Sequence, residues 1–129
     1  MSVPTTTSEE LTPAGEVDEA AALSAAACLF RSLGEPARLA IIRHLAAHGE
    51  HKVVELTQHL GLAQSTVSAH LACLRDCGVA TSRPQGRASL WSLSAAPEVL
   101  AVLAAAERLL AQTGDAVTLC PTYGKAANR

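Results

Sequence analysis

Apolar positions along this chain recur mostly at three- and four-residue intervals, the spacing of one face of an α-helix. In "EPARLAIIRHLAAHG" the residues Leu39, Ile42, Leu45 and Ala46 form one stripe. Pro36 suits a first helical turn there, and Gly49 stops the run. Upstream, "VDEAAALSAAACLFRSL" (17–33) reads as a first helix closed by Gly34. Downstream, a short third helix over 52–60 meets Gly61, and 63–77 forms a fourth helix ended by Gly78. Two short helices joined through a tight glycine turn make a helix-turn-helix.

The period then changes. "VATSR" and "RASLWSLS" are β-prone and flank "PQG", with Pro84 and Gly86 fitting positions i+1 and i+3 of a type I turn, so a hairpin is expected. Pro97 opens a fifth helix that ends near Gly114. Its Leu100, Val102, Leu103, Ala106, Leu109 and Leu110 cover more than one stripe, as expected of a helix covered by its own core and by a partner subunit. The order of elements predicts a mainly α winged helix-turn-helix over 17–114, about five helices plus a β-hairpin wing, assembled as a homodimer. Residues 1–16, rich in Thr, Ser, Pro and Glu, read as a disordered leader, and 115–129 as a tail without periodicity.

With Phe30, Trp91 and Tyr123 as the sole aromatics, the core has to be aliphatic, which suits close-packed helices. The net charge of −2 hides an uneven distribution. Residues 1–30 hold five acids and no Lys or Arg, whereas 31–95 hold seven basic residues against four acidic ones. The predicted helix-turn-helix and wing are therefore the basic part, as a nucleic-acid partner requires. No apolar run approaches the ~18–20 residues that span a bilayer, and the N-terminus lacks the basic start and apolar stretch of a secretory signal. The expected setting is the cytoplasm, with no membrane partner and four cysteines present as thiols. A Gly-rich phosphate loop, paired carboxylates and an activated-nucleophile motif are all missing, so neither an enzyme nor a small-molecule substrate is expected.

In a winged helix-turn-helix the second helix of the pair enters the major groove and the wing lies on the backbone or in the minor groove. Gln64, Ser65, Thr66 and Ser68 put short donors and acceptors at the base-facing end of that helix, although the same residues also serve as helix caps. Arg83, Gln85 and Arg87 lie around the hairpin tip, where cations meet phosphates, and Arg38 and Arg43 could add phosphate contacts. "LGEPARLAIIRHL", "ELTQHLGLAQSTVSAHLACLRDCGVA" and "RPQGRASLWSL" together resemble the arsenic-repressor (ArsR/SmtB) family of bacterial metal-responsive repressors. The resemblance covers about residues 20–113. It implies a homodimer joined through the first and last helices, bound to double-stranded operator DNA and released by a ligand.

Cys73 and Cys77 lie on the fourth helix beside the stripe Val67, Leu71 and Leu74, which reads as its core face. The two thiols are about 40° apart around the helix and about 6 Å apart along it, an arrangement that suits two ligands of one soft ion. Oxidation of this pair is the competing reading, although parallel side chains on an intact helix have to twist to bond. Cys120, in the polar tail segment "LCPTYG", is the third candidate. Cys73, Cys77 and Cys120 resemble the ligand set of CmtR-type cadmium/lead sensors within the family. That resemblance implies Cd(II) or Pb(II) as effector, with Cys120 arriving from the other subunit. As(III) suits the same donors, and Zn(II) ranks behind them. Cys28, among alanines, reads as a small buried hydrophobe. His44 and His48 stand at i, i+4 and could pair on zinc, but the sequence offers them no obvious third ligand. His70 shares the cysteine stripe and reads as structural or as facing DNA.

Overall fold

The computed structural model describes residues 2–115 and 117–119, with side chains from residue 18 onward. Five helices and one hairpin follow in the predicted order: α1 (Ser2–Leu33), α2 (Pro36–His48), α3 (Val53–Leu60), α4 (Gln64–Asp76), β1 (Ala80–Gln85), β2 (Ala88–Leu93) and α5 (Ala96–Gln112). α1 starts well before residue 17, so helix occupies the stretch expected as a leader.

Local chemistry fixes each boundary. Glu35 caps α2 by accepting from the Ala37 N–H at 2.7 Å, and Pro36 fills the first turn, where its missing N–H costs nothing. Gly61 ends α3 at φ 69°, a left-handed turn into the next helix that a residue with a Cβ adopts only under strain. The hairpin turn lies further along than the sequence predicts. Pro84 pairs with Ser89 inside the ladder and Gln85 with Ala88, leaving Gly86 and Arg87 as the two-residue turn. Gly86 has φ 63° while Arg87 does not, the requirement of a II′ turn. Such a turn matches the right-handed strand twist, which a type I turn at Pro84 would splay.

The core gathers one face of every element from α2 onward. Ile41, Ile42 and Leu45 of α2 meet Leu56 of α3, Val67, Leu71 and Leu74 of α4, Trp91 of β2 and Leu103 of α5. The predicted α4 stripe is thus the buried one, with all three residues fully covered. On α2 the buried face is rotated to include Ile41, and Leu39 is only partly covered. α1 touches this core through Leu29 and Leu33 near its end, while residues 18–27 are exposed.

The wing is not a free ribbon. His51, between α2 and α3, pairs antiparallel with Trp91: the Trp91 N–H donates to the His51 carbonyl at 2.8 Å and the His51 N–H to the Trp91 carbonyl at 3.0 Å. A two-stranded hairpin alone is marginal in water, and this third contact, with the buried indole, supplies what it lacks. At the other end of the chain the Leu119 N–H donates to the carboxylate of Glu107, a buried α5 residue, and the Leu119 side chain packs against the core.

Leu71→Ala removes a fully covered side chain from the middle of this core. The expected loss is about 2–5 kcal/mol of unfolding free energy, read from the urea midpoint at fixed protein concentration. A loss below ~1 kcal/mol would show that the α4 face packs loosely.

Candidate nucleic-acid interface and thiol site

α4 presents its first turn outward while Val67, one residue on from Thr66, anchors it in the core. The helix is capped by Ala63, which has no side-chain bond to offer. Gln64, Ser65, Thr66 and Ser68 are exposed and, among the described residues, their side chains make no hydrogen bond within the chain. The capping role that could have explained these residues is therefore not taken up. They leave a row of polar groups beside the free N–H groups of a helix N-terminus, which together favour a polyanion.

The wing arginines differ from each other. Arg87 stands in the turn itself, exposed and, among the described residues, without an ion pair, so its charge is available to a phosphate. Arg83 is engaged: its Nε and Nη2 donate to the two oxygens of Glu50 at 2.7 and 2.8 Å. The hydrogen bond from Arg83 holds the Glu50 carboxyl below its ordinary range, and the same pairing raises the guanidinium. Gln85 is exposed at the end of β1.

Arg38 and His70, expected among the DNA contacts with His70 open to a structural role, make contacts within the chain. Arg38 Nε donates to the Ser32 carbonyl and Nη2 to the Arg31 carbonyl, so the guanidinium closes the end of α1. Its Nη1 meets His70 Nδ1 at 3.1 Å, and His70 Nε2 lies 3.9 Å from Glu35. These contacts tie α1, α2 and α4 together, a long-range role that spacing along one helix could not reveal.

The thiols are arranged differently from the expected pair. Cys73 is a half-buried free thiol. Cys77 follows it as the C-cap of α4, and its sulfur is bonded to Cys28 of α1, with the Cα atoms 6.2 Å apart. Cys28 is thus neither inert filling nor a free thiol, and the cysteine that reads in sequence as core is the one that meets Cys77. A signal exists in the spacing: Leu29 and Leu33, four apart, mark the core-facing edge of α1, and Cys28 borders it. An apolar hollow beside Cys77 lies between α1 and α5, with Leu29, Val99 and Val102 among its walls. Cys120 lies outside the described residues.

The histidines also gather. His44 stacks at 4.6 Å from His48, as the i, i+4 spacing predicts, but also at 4.6 Å from His51 and 4.2 Å from His59. Burial, then the neighbouring imidazoles, push the His44 pKa down to about 4. Among the described residues no helix is long and apolar enough to cross a membrane.

Comparison with known proteins adds to this geometry. Residues 35–82 match the family described as bacterial regulatory protein, arsR family. A probable mercury resistance operon repressor of Streptomyces lividans is 34% identical over 91 residues, spanning 70% of this chain and 71% of that protein. The HTH-type transcriptional regulator CmtR of Mycobacterium bovis is 41% identical over 71 residues, 55% of this chain and 59% of CmtR. The solution structure of a homodimeric winged helix-turn-helix DNA-binding domain from Mycobacterium bovis matches with a TM-score of 0.63 at 28% identity, covering 71% of this chain and 88% of that one. Reduced HlyU from Vibrio cholerae matches with a TM-score of 0.59 at 33% identity, covering 73% and 95%.

Arg87→Ala is expected to weaken DNA binding and to flatten the slope of log K against log salt by about 0.9 for each phosphate no longer neutralised. Gln64→Ala should instead change which sequence is preferred, in a selection from randomised duplexes. An unchanged salt slope for Arg87→Ala would remove the wing tip from the contact surface.

Proposed function

Given that the chain belongs to the arsR family of bacterial regulatory proteins, DNA-binding transcriptional regulators rather than enzymes, we propose that it is a homodimeric repressor released from its operator by a thiophilic ion. The observation that carries the reading is the convergence of three cysteine sulfurs at the junction of α4 and α1, the free thiol of Cys73 and the bonded pair Cys28–Cys77, which reduction would turn into thiolate donors. Cys73 lies in the last turn of α4, and Cys77, its C-cap, is bonded to Cys28 of α1. Soft donors at that junction suit Cd(II), Pb(II), Hg(II) or As(III) far better than hard cations. The names of relatives, a probable mercury resistance operon repressor, an arsenical resistance operon repressor and CmtR, support a thiophilic effector. Cys73 and Cys77 are the proposed core of the site, with Cys120 as third ligand, from the other subunit as the family resemblance implies.

Homodimer formation has its own support. Leu23 and Phe30 of α1 are 66% and 64% exposed, and Leu109 of α5 is 66% exposed, large apolar groups on two helices that a second copy would cover. α1 then carries both the dimer face and Cys28, while α4 carries both the reading turn and the thiols. Metal bonds at the far end of α4 change its seat on α1, and a coupling of typically ~1–3 kcal/mol between sites suffices to lower operator affinity.

A second reading has a specific observation in its favour: the Cys28–Cys77 bond itself. Two thiols passing two electrons and two protons to an oxidant would clamp α1 to α4 without metal. The likeness to HlyU, solved in a reduced form, supports it.

One pair of assays separates the two: operator binding titrated with Cd(II) under reducing conditions, and with peroxide in the presence of chelator. Cys73→Ser and Cys77→Ser should each keep operator binding and lose release by Cd(II). Cys28→Ser should lose only the response to peroxide. Release by metal retained in both Cys73→Ser and Cys77→Ser would remove the metal reading, and peroxide release retained in Cys28→Ser would remove the redox one.

A further inference from the structure

We propose that His44, His51 and His59 form a second metal site in each chain, one for a borderline divalent ion such as Zn(II), independent of the thiols. The three residues come from three separate places: the last turns of α2, the segment that pairs with the wing, and the last turn of α3. Each offers one ring nitrogen, and the three nitrogens lie within 4.8 Å of one another. Three imidazoles converging from different elements differ in kind from histidines that share one surface helix.

Two details mark the cluster as ligand-like. His51 Nδ1 lies 2.9 Å from the Gly49 carbonyl, which has only lone pairs to offer, so Nδ1 carries the proton. The lone pair of that ring therefore sits on Nε2, the nitrogen turned toward His44. A hydrogen bond of this kind from the second ring nitrogen is what orients metal-bound histidines and fixes their tautomer. His44 Nε2 and His51 Nε2 are 3.3 Å apart. Zinc–nitrogen bonds of ~2.0–2.1 Å at a tetrahedral angle place two ligand nitrogens about 3.3–3.4 Å apart, so this pair already has the edge of a zinc tetrahedron. His59, exposed at the end of α3, supplies the third nitrogen, within 4.8 Å of the other two. His48, stacked on His44, is at hand for the fourth, or water fills it as in open zinc sites.

Neutral nitrogen donors set the class of ion. With no thiolate and no carboxylate in the set, imidazoles suit Zn(II), Ni(II), Co(II) and Cu(II) over Cd(II), Pb(II) or Mg(II). The nearest carboxylate along the chain, Glu50, is already held by Arg83. A bound ion here would fasten the base of the wing to both α2 and α3.

The test uses the full-length, tag-free, reduced protein and Zn(II) alone, with calorimetry for affinity and histidine ring 1H–15N spectra for the ligands. The expected result is one Zn(II) per chain that moves the ring resonances of His44, His51 and His59 and raises the melting temperature. His59→Ala lies on the surface and leaves the core intact; it should weaken Zn(II) binding by at least about a hundredfold, more than the loss of an orienting neighbour costs. The Cys73→Ser, Cys77→Ser double variant should keep the site, whatever becomes of the thiol reading. Ring resonances unmoved by Zn(II), or zinc affinity that survives His59→Ala and vanishes in the cysteine variant, would overturn the proposal.

Discussion

The pair of hydrogen bonds between His51 and Trp91 is the contact on which the DNA-facing geometry depends. Without it the hairpin is an isolated two-stranded ribbon, a structure with little stability of its own. With it, β2 becomes the middle strand of a minimal three-part sheet, and its indole sits in the core among α2, α3 and α4. The angle between wing and reading helix is then set by packed side chains rather than by the turn. Arg83 reinforces the same joint from β1, since its carboxylate partner Glu50 immediately precedes His51. An arginine expected at phosphate is thus engaged within the chain by Glu50, while Arg87 at the tip is exposed.

α4 answers to two demands at once. Its buried stripe, Val67, Leu71 and Leu74, is continuous with the core, so the helix moves as a rigid body and carries its exposed first turn with it. Its last turn leans on α1 through Cys77 and on the Arg38–His70 contact further up the helix. Chemistry at one end of such a helix is felt at the other because thirteen residues of regular hydrogen bonding do not bend cheaply. This rigidity is what the proposed control of a reading surface by distant cysteines would require.

Much of this is legible in the sequence, for a definite reason. Helix boundaries are local: Pro36, Gly49, Gly61 and Gly78 act on their immediate neighbours, and the helical period of α4 identifies its buried face without any knowledge of the partners. The hairpin turn is displaced from its expected place because proline is a turn former that a ladder can also absorb. Pro84 pairs with Ser89, and Gly86 takes the positive φ that a two-residue connection demands. What is not legible is contact between elements. The spacing of Cys73 and Cys77 describes one helix and is silent about Cys28, forty-nine residues before Cys77. His44 and His48 likewise announce themselves as a pair, while His51 and His59 reach them only through the chain reversal between α2 and α3.

The cysteines and the imidazoles thus differ in chemistry and in the elements they join, yet the segments that carry them both contact Trp91. Its backbone is held by His51, whose ring belongs to the imidazole group. Its indole lies under the Arg75 guanidinium, 5.7 Å from the ring centre, in the last turn of α4 between Cys73 and Cys77. Sulfur donors and imidazole donors prefer different ions, so the two proposed sites would not compete for one ligand. The wing is therefore the element in contact with both regions, because a single buried tryptophan joins it to each.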